Sequence, residues 1–134
     1  MTDVERRLEQ LIEVRKDFEV RYKFLSALEG GRSSGMPTQP YRSDWCYDGD
    51  DPVSDGIYMI WPIFLDGDGK VCRPDKVVSE QGTAQMFIVN DDLRSSLHSK
   101  RLSVGVRGYF MEGTHRVAEA IVTKLLDLVS VKTT

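Results

Sequence analysis

The chain is poor in cysteine and contains no long apolar run. Its two cysteines, Cys46 and Cys72, stand without the CxxC spacing of redox or zinc motifs, which indicates reduced thiols and a cytoplasmic location. No apolar stretch approaches the roughly 18 residues of a membrane-spanning helix. The charged amino terminus, MTDVERRLEQ, lacks the apolar stretch of a signal peptide, so we expect neither membrane insertion nor secretion.

Sequence motifs for cofactor binding and catalysis are also missing. The two histidines form no HxxxH pair, and the chain has neither a phosphate-binding P-loop nor a GxSxG nucleophile motif. The stretch DGDGK at 66–70 predicts a hairpin turn. It differs from an EF-hand loop, because Lys70 and Val77 stand where that loop needs oxygen ligands. We therefore expect a non-enzymatic protein with no catalytic residues, no metal, no cofactor and no nucleotide. An enzymatic site that forms only in three dimensions is the alternative that motifs leave open.

Neither sign of charge is in large excess. There are 18 Lys and Arg residues against 21 Asp and Glu, which gives a net charge of -3 and a pI near 5.4. This acidic balance argues against indiscriminate binding of nucleic acid or of an acidic membrane. The 134 residues, 40% of them hydrophobic and 29% charged, suit one compact globular domain.

Residues 1–17 predict an amphipathic helix. Thr2 or Asp3 supplies an N-cap. Val4, Leu8 and Leu11 follow at helical spacing and form one narrow apolar stripe. Two interpretations stay open: the stripe packs against its own domain, or it binds a partner or a second copy of the chain.

Residues 18–134 have the pattern of an all-β domain. Apolar and polar residues alternate from Phe18 to Phe24, and further strands are predicted at 41–47, 57–65, 83–89, 102–111 and 117–128. One helical turn capped by Asn90 is expected within 90–100. Pro62 lacks a backbone N–H, which predicts a bulge or an edge position for it. The short, regular spacing of the strands predicts a closed barrel or a sandwich.

Three segments resemble a known family in their order and spacing. The strand at 19–28 runs into Glu29-Gly30-Gly31-Arg32, residues 39–47 (QPYRSDWCY) resemble a GYRPQFYF strand, and residues 102–124 follow the pattern LxxGxRFxIREGGRTVGxGVVTK. Together they resemble the third, carboxy-terminal domain of elongation factor Tu and its stand-alone bacterial relatives. The resemblance implies a small closed antiparallel six-stranded Greek-key barrel, here with one added N-terminal helix.

The chain departs from that family in several places. The GTPase domain and its guanine-nucleotide motifs are absent, and residues 48–56 replace the family's RTTDVTG segment. Residues 113–116, GTHR, replace the GGRT turn, a region that in the family approaches the acceptor arm of transfer RNA. The N-terminal helix has no counterpart in the family domain. We expect it to cover surface that the family's second domain would otherwise cover.

These observations favour a non-enzymatic binding module that acts through a protein partner or by self-association. The candidate binding residues are four arginines and the helix stripe: Arg32, Arg42, Arg107, Arg116, Val4, Leu8 and Leu11. The alternative is an RNA-binding accessory factor linked to translation, in which the arginines contact phosphates and Tyr41 or Trp45 stacks on a base. The acidic pI counts against this alternative.

Overall fold

One antiparallel sheet of six strands dominates the structure, which a computed structural model describes for residues 2–128. The strands are β1 (Phe18–Phe24), β2 (Asp44–Tyr47), β3 (Ile60–Leu65), β4 (Gln81–Ile88), β5 (Arg107–Glu112) and β6 (His115–Leu125). Helix α1 (Asp3–Glu13) precedes the sheet. A helical connection from β4 to β5 comprises α2 (Asp91–Leu93), a π-helical turn (Arg94–His98) and α3 (Ser99–Arg101). Residues 129–134 of the predicted β domain lie outside the described residues.

The sheet curls into a half-barrel with the strand order β2-β5-β6-β1-β4-β3. Its edges approach at one point, where the Trp45 N–H donates to the Tyr58 carbonyl (2.8 Å) and the Tyr58 N–H donates to that of Trp45 (2.9 Å). The predicted all-β class with an added helix is confirmed, and a single curled sheet takes the place of a two-sheet sandwich. A continuous β2–β3 ladder, which full closure requires, is not among the pairings of residues 2–128.

The inner face of the curled sheet carries the hydrophobic core. The four apolar residues of β1 are all buried and alternate with more exposed charged residues, as predicted. Aromatic rings from several strands pack edge to face, with 5.7 Å between the ring centroids of Phe18 and Trp45. Gly108 of β5 makes room for this packing, because a Cβ there would lie 2.2 Å from Cζ2 of Trp45.

A buried carboxylate fixes the junction between α1 and the sheet. Asp17 is fully buried and accepts hydrogen bonds from Nε of Arg15 (2.8 Å), Nε of Arg94 (2.6 Å) and the backbone N–H of Ile88 (2.8 Å). These partners come from the α1–β1 linker, the helical connection and the end of β4. The carboxylate thus holds three segments together, and its charge is balanced by two guanidinium groups.

Helix α1 is shorter than the sequence predicts. Thr2 caps it, since its Oγ1 accepts from the Glu5 N–H (3.1 Å), but it ends at Glu13 because Val14 has an extended backbone. The Lys16 ammonium group donates to the Leu11 carbonyl (2.8 Å) and so satisfies one of the helix's last acceptors. At 11 residues it is the longest helix described, and no helix within residues 2–128 could cross a bilayer.

Several local predictions are confirmed, whereas some strand boundaries move. Pro62 lies on the edge strand β3, and the Asn90 side chain caps α2 by accepting from the Leu93 N–H (3.0 Å). Residues 66–70 form the predicted turn. β2 begins at Asp44 instead of residue 41, and Asp44 pairs with β5 next to a register shift in that strand. β5 begins at Arg107 instead of residue 102, because a turn with Gly105 at φ 97° precedes it. β3 begins late because residues 57–59 lie beyond its ladder with β4.

Candidate functional site

A groove with apolar walls lies between α1 and the outer face of β3 and β4; we call it the apolar groove. Its volume is about 190 Å³, and its apolar lining includes Leu11, Val14, Trp61, Ile63 and Phe87. Strand alternation explains the β4 contribution, because Met86 and Ile88 are buried and Phe87 between them therefore points outward. Large side chains that face outward on neighbouring strands thus form one wall of the groove.

Helix α1 supplies the other wall without becoming part of the core. No residue of α1 is buried, and Ile12 keeps 54% of its surface exposed. The stripe residues Val4, Leu8 and Leu11 are each half-buried. Of these three predicted binding residues, only Leu11 lines the groove. The helix therefore leaves apolar surface open to solvent beside the groove.

Two arginines line the apolar groove. Arg7 donates to the Asp3 carbonyl (3.4 Å), and the guanidinium of Arg42 lies 5.1 Å from the centre of the Trp61 ring. Within residues 2–128, neither guanidinium has a carboxylate within 4.0 Å. The groove therefore combines an apolar floor with two unneutralised positive charges, which favours an anionic apolar ligand.

A second groove crosses the outer face of β4, β1, β6 and β5; we call it the basic groove. Its volume is about 390 Å³, and its charged lining residues are Arg21, Lys23, Arg107 and Glu119. The β-sheet register places Arg21 opposite Ile121, which in turn lies opposite Arg107. None of the three cations has a salt-bridge partner among the described residues. Three positive charges and one negative charge therefore line this surface of an acidic protein.

Two predicted binding residues are instead part of an internal network. The Arg32 guanidinium and the Tyr41 hydroxyl both donate to the Glu112 carboxylate. Burial, followed by the hydrogen bond to Glu112, raises the pKa of the Tyr41 phenol. Arg32 also donates to the Gly35 carbonyl (2.7 Å) and lies 5.5 Å from the centre of the Tyr41 ring. Arg32 is thus occupied within the chain, whereas the body of Tyr41 lines the apolar groove.

The remaining predicted residues are widely separated. Trp45 is fully buried in the core, so its ring offers no face on which a base could stack. Arg107 lines the basic groove, whereas Arg116 is exposed, with its guanidinium 4.4 Å from the centre of the Tyr109 ring. The apolar groove therefore brings together only Leu11 and two other predicted residues, Tyr41 and Arg42.

One buried cluster has the residue types of an acid–base site but packs against itself. His98 is 1% exposed, and its Nδ1 shares a 2.7 Å hydrogen bond with the Tyr47 hydroxyl. Burial, and then the charge of Arg101, lowers the pKa of His98 to about 4. Arg101 covers the Tyr47 ring at 3.9 Å and donates to Asp50 through two hydrogen bonds of 2.9 and 3.1 Å. Because these four side chains bond to or pack on one another, we interpret the cluster as structural.

The sequence predicts Arg42 and Arg107 as binding residues, but it does not single out several other residues that define the two grooves. Trp61 and Phe87 are predicted only as strand residues, and Arg21 and Lys23 only as the polar side of β1. Among residues 2–128, no three His, Cys, Asp or Glu side chains are placed to hold a metal ion.

Comparison of the chain with protein-family models and with curated protein sequences finds no match.

Proposed function

We propose that this protein is a non-enzymatic binding module that recognises a segment of a partner protein in the apolar groove. The observation that carries this proposal is the pairing of an aromatic and aliphatic lining with two guanidinium groups, Arg7 and Arg42, that lack carboxylate partners in the described part of the chain. The segment that fits presents one large apolar side chain, with Asp or Glu residues beside it. The apolar side chain anchors the complex, and the carboxylates fix its orientation.

The size of the groove supports a protein ligand over a small molecule. Pockets for drug-sized ligands typically enclose roughly 300–1,000 Å³. The apolar groove encloses about 190 Å³, so it suits one anchoring side chain better than a whole cofactor or substrate. The half-buried surface of α1 next to it extends the area that a partner can cover.

The neighbouring sheet edge is blocked, so recognition through side chains is favoured over addition of a strand. On the free side of β3, the Phe64 N–H donates to Oε1 of Gln39 (2.6 Å), and its carbonyl accepts from the Cys72 N–H (2.9 Å). Two residues earlier, the backbone of Pro62 faces the same side and has no N–H. A partner strand would therefore find few free groups along this edge.

Three narrower statements belong to the same proposal. The chain is a relative of the third domain of elongation factor Tu, as the order and spacing of its three motifs support. Its sheet closes into a six-stranded Greek-key barrel, and the Trp45–Tyr58 pair between the edge strands supports this. It acts in the cytoplasm, for which its two free cysteines are the supporting observation.

The second candidate function is RNA binding in a role linked to translation. The basic groove, with Arg107 among its cations, favours it. Against it stand the burial of Trp45 and the engagement of Arg32 by Glu112, which remove one stacking residue and one phosphate contact. Titration with transfer RNA over a salt series separates the candidates, because RNA binding requires affinity that falls steeply with salt.

A peptide-display selection on the full chain tests the proposed function. Short random peptides are selected on the wild-type protein and counter-selected on the Trp61→Ala variant. We expect enrichment of peptides that carry Leu, Phe or Trp next to Asp or Glu, and at least about tenfold weaker binding to Trp61→Ala and Arg42→Glu. Arg73→Glu is the matched control, because Arg73 is exposed in the loop before β4, pairs with Asp75 and lines neither groove.

Two results would contradict the proposal. One is a selection that yields no peptide sensitive to Trp61→Ala. The other is a purified protein whose apolar groove is occupied by a second copy, detected by light scattering as a dimer that Leu11→Asp dissociates. The first result would mean that the apolar groove binds no acidic partner segment. The second would mean that the groove serves self-association.

A further inference from the structure

The two grooves lie on the same outward face of the sheet, in line along β4. Residues 81, 83, 85 and 87 of this strand all face outward, while Ala84, Met86 and Ile88 between and after them are buried. Phe87 lines the apolar groove, and Thr83 lines the basic groove. Four residues of a strand span about 13 Å, which sets the distance between the grooves.

The surface between the grooves carries one negative charge, which is already engaged. Glu19 on β1 lies opposite Gln85 in the register, and its carboxylate accepts from the Gln85 amide (3.4 Å) and lies 4.0 Å from the Lys124 ammonium. A ligand crossing this stretch gains nothing from an acidic residue there. The charges of the outer face therefore change from acidic at Glu19 to basic at Arg21 within two residues of β1.

The cations of the basic groove have a spacing that an extended acidic segment can match. Arg21 and Lys23 are two residues apart on β1, so their backbones are about 7 Å apart. Alternate side chains of an extended ligand have the same separation. Arg107 adds a third positive charge two strands away, across β6.

We propose that the basic groove is the second contact of the partner segment that occupies the apolar groove, and that it binds acidic residues roughly four and six positions from the apolar anchor. This inference rests on the proposed function, because it takes the anchored segment as its starting point. The residue two positions from the anchor lies over Glu19 and is neutral or basic. The partner segment is thus an extended chain with a defined pattern: an anchor, a non-acidic spacer, and two carboxylates that face Arg21 and Lys23.

Synthetic peptides test this pattern on the full chain. Each has one Phe anchor with the neighbouring Asp that the proposed function requires, in an otherwise Ser- and Thr-rich extended sequence. The first peptide has Asp four and six residues from the anchor, and the second has Asn at both places. The third instead has Asp two residues from the anchor, over Glu19, where it should gain nothing over the second. Both chain directions are made. Binding is followed by fluorescence anisotropy, and amide NMR signals of the labelled protein report each groove separately.

We expect the first peptide to bind roughly five- to tenfold more tightly than the second at low salt, and this advantage to shrink at high salt. Arg21→Gln/Lys23→Gln should remove the advantage, because it leaves the acidic residues without partners. Lys70→Gln/Lys76→Gln is the matched control, since it removes the same charge from exposed loop residues outside both grooves.

The outcomes separate failure of this inference from failure of the proposed function. If all peptides shift the Trp61 signals but Asp and Asn versions bind equally, the second contact is wrong and the apolar groove stands. The same conclusion follows if both double variants weaken binding equally, because the effect then depends on total charge alone. If no peptide shifts the Trp61 signals, the proposed function is wrong and the second contact with it.

Discussion

Replacement of Asp17 by Asn tests how the structure joins α1 to the sheet. The side chain keeps its size and one carbonyl oxygen, but it loses the charge that two guanidinium groups share at 2.6 and 2.8 Å. Removing one partner of a buried ion pair typically costs about 3–5 kcal/mol. We expect a value near the lower end, about 3 kcal/mol, because Arg15 and Arg94 are 30% and 14% exposed and keep other partners.

A loss of this size is readily measured. For a domain of this length it corresponds to a fall in Tm of roughly 10 °C. Urea denaturation followed by tryptophan fluorescence gives the free energy of unfolding, because buried Trp45 reports the core. Asp91→Asn is the matched control. The Asp91 side chain also pairs with Arg15 but is 78% exposed, so its replacement should cost less than about 1 kcal/mol. If Asp17→Asn costs no more than Asp91→Asn, the buried charge does not hold this junction together.

Three further predictions concern the core, the buried histidine and the groove. Gly108→Ala should destabilise by at least about 2 kcal/mol in urea denaturation because its Cβ would overlap Trp45, whereas Gly67→Ala, with open space around it, should be nearly neutral. The pKa of His98 lies near 4 in the folded chain and near 6.5 when unfolded, so the unfolded chain binds more protons between these values. The contribution of neutral His98 to the free energy of unfolding should therefore be fully present above pH 6.5 and fall by about 3 kcal/mol as the pH is lowered to 4. In His98→Gln, the free energy of unfolding should change less over this pH range. Leu11→Asp should weaken binding of selected peptides at least about tenfold while changing Tm by only about 2 °C, because Leu11 lines the groove but is not buried; a large fall in Tm would place Leu11 in the core instead.

The elements that local sequence patterns determine were predictable. The alternation in β1, the Thr2 and Asn90 caps and the turn at 66–70 each depend on residues within a few positions of one another. The edge position of Pro62 also follows from local chemistry, since a missing N–H disfavours a central strand. For these elements the expected interactions and those in the structure are the same.

The grooves were not predictable, because they depend on which strands become neighbours. Arg21 and Arg107 lie on one surface only because β6 pairs with both β1 and β5. The pairing of Arg32 with Glu112 joins residues 80 positions apart, and no spacing in the sequence indicates it. The prediction for Trp45 failed to foresee its burial because β2 buries three successive side chains, Trp45, Cys46 and Tyr47, instead of alternating.

The indole N–H of Trp61 offers the most direct measurement on the central claim. The chain has two tryptophans, and Trp45, buried in the core, provides an internal reference signal. On titration with a selected acidic peptide, the account predicts that the Trp61 indole signal moves with the same Kd as the anisotropy change, while the Trp45 signal stays in place. A peptide that binds while leaving the Trp61 signal unmoved would contradict the assignment of this groove as the binding site.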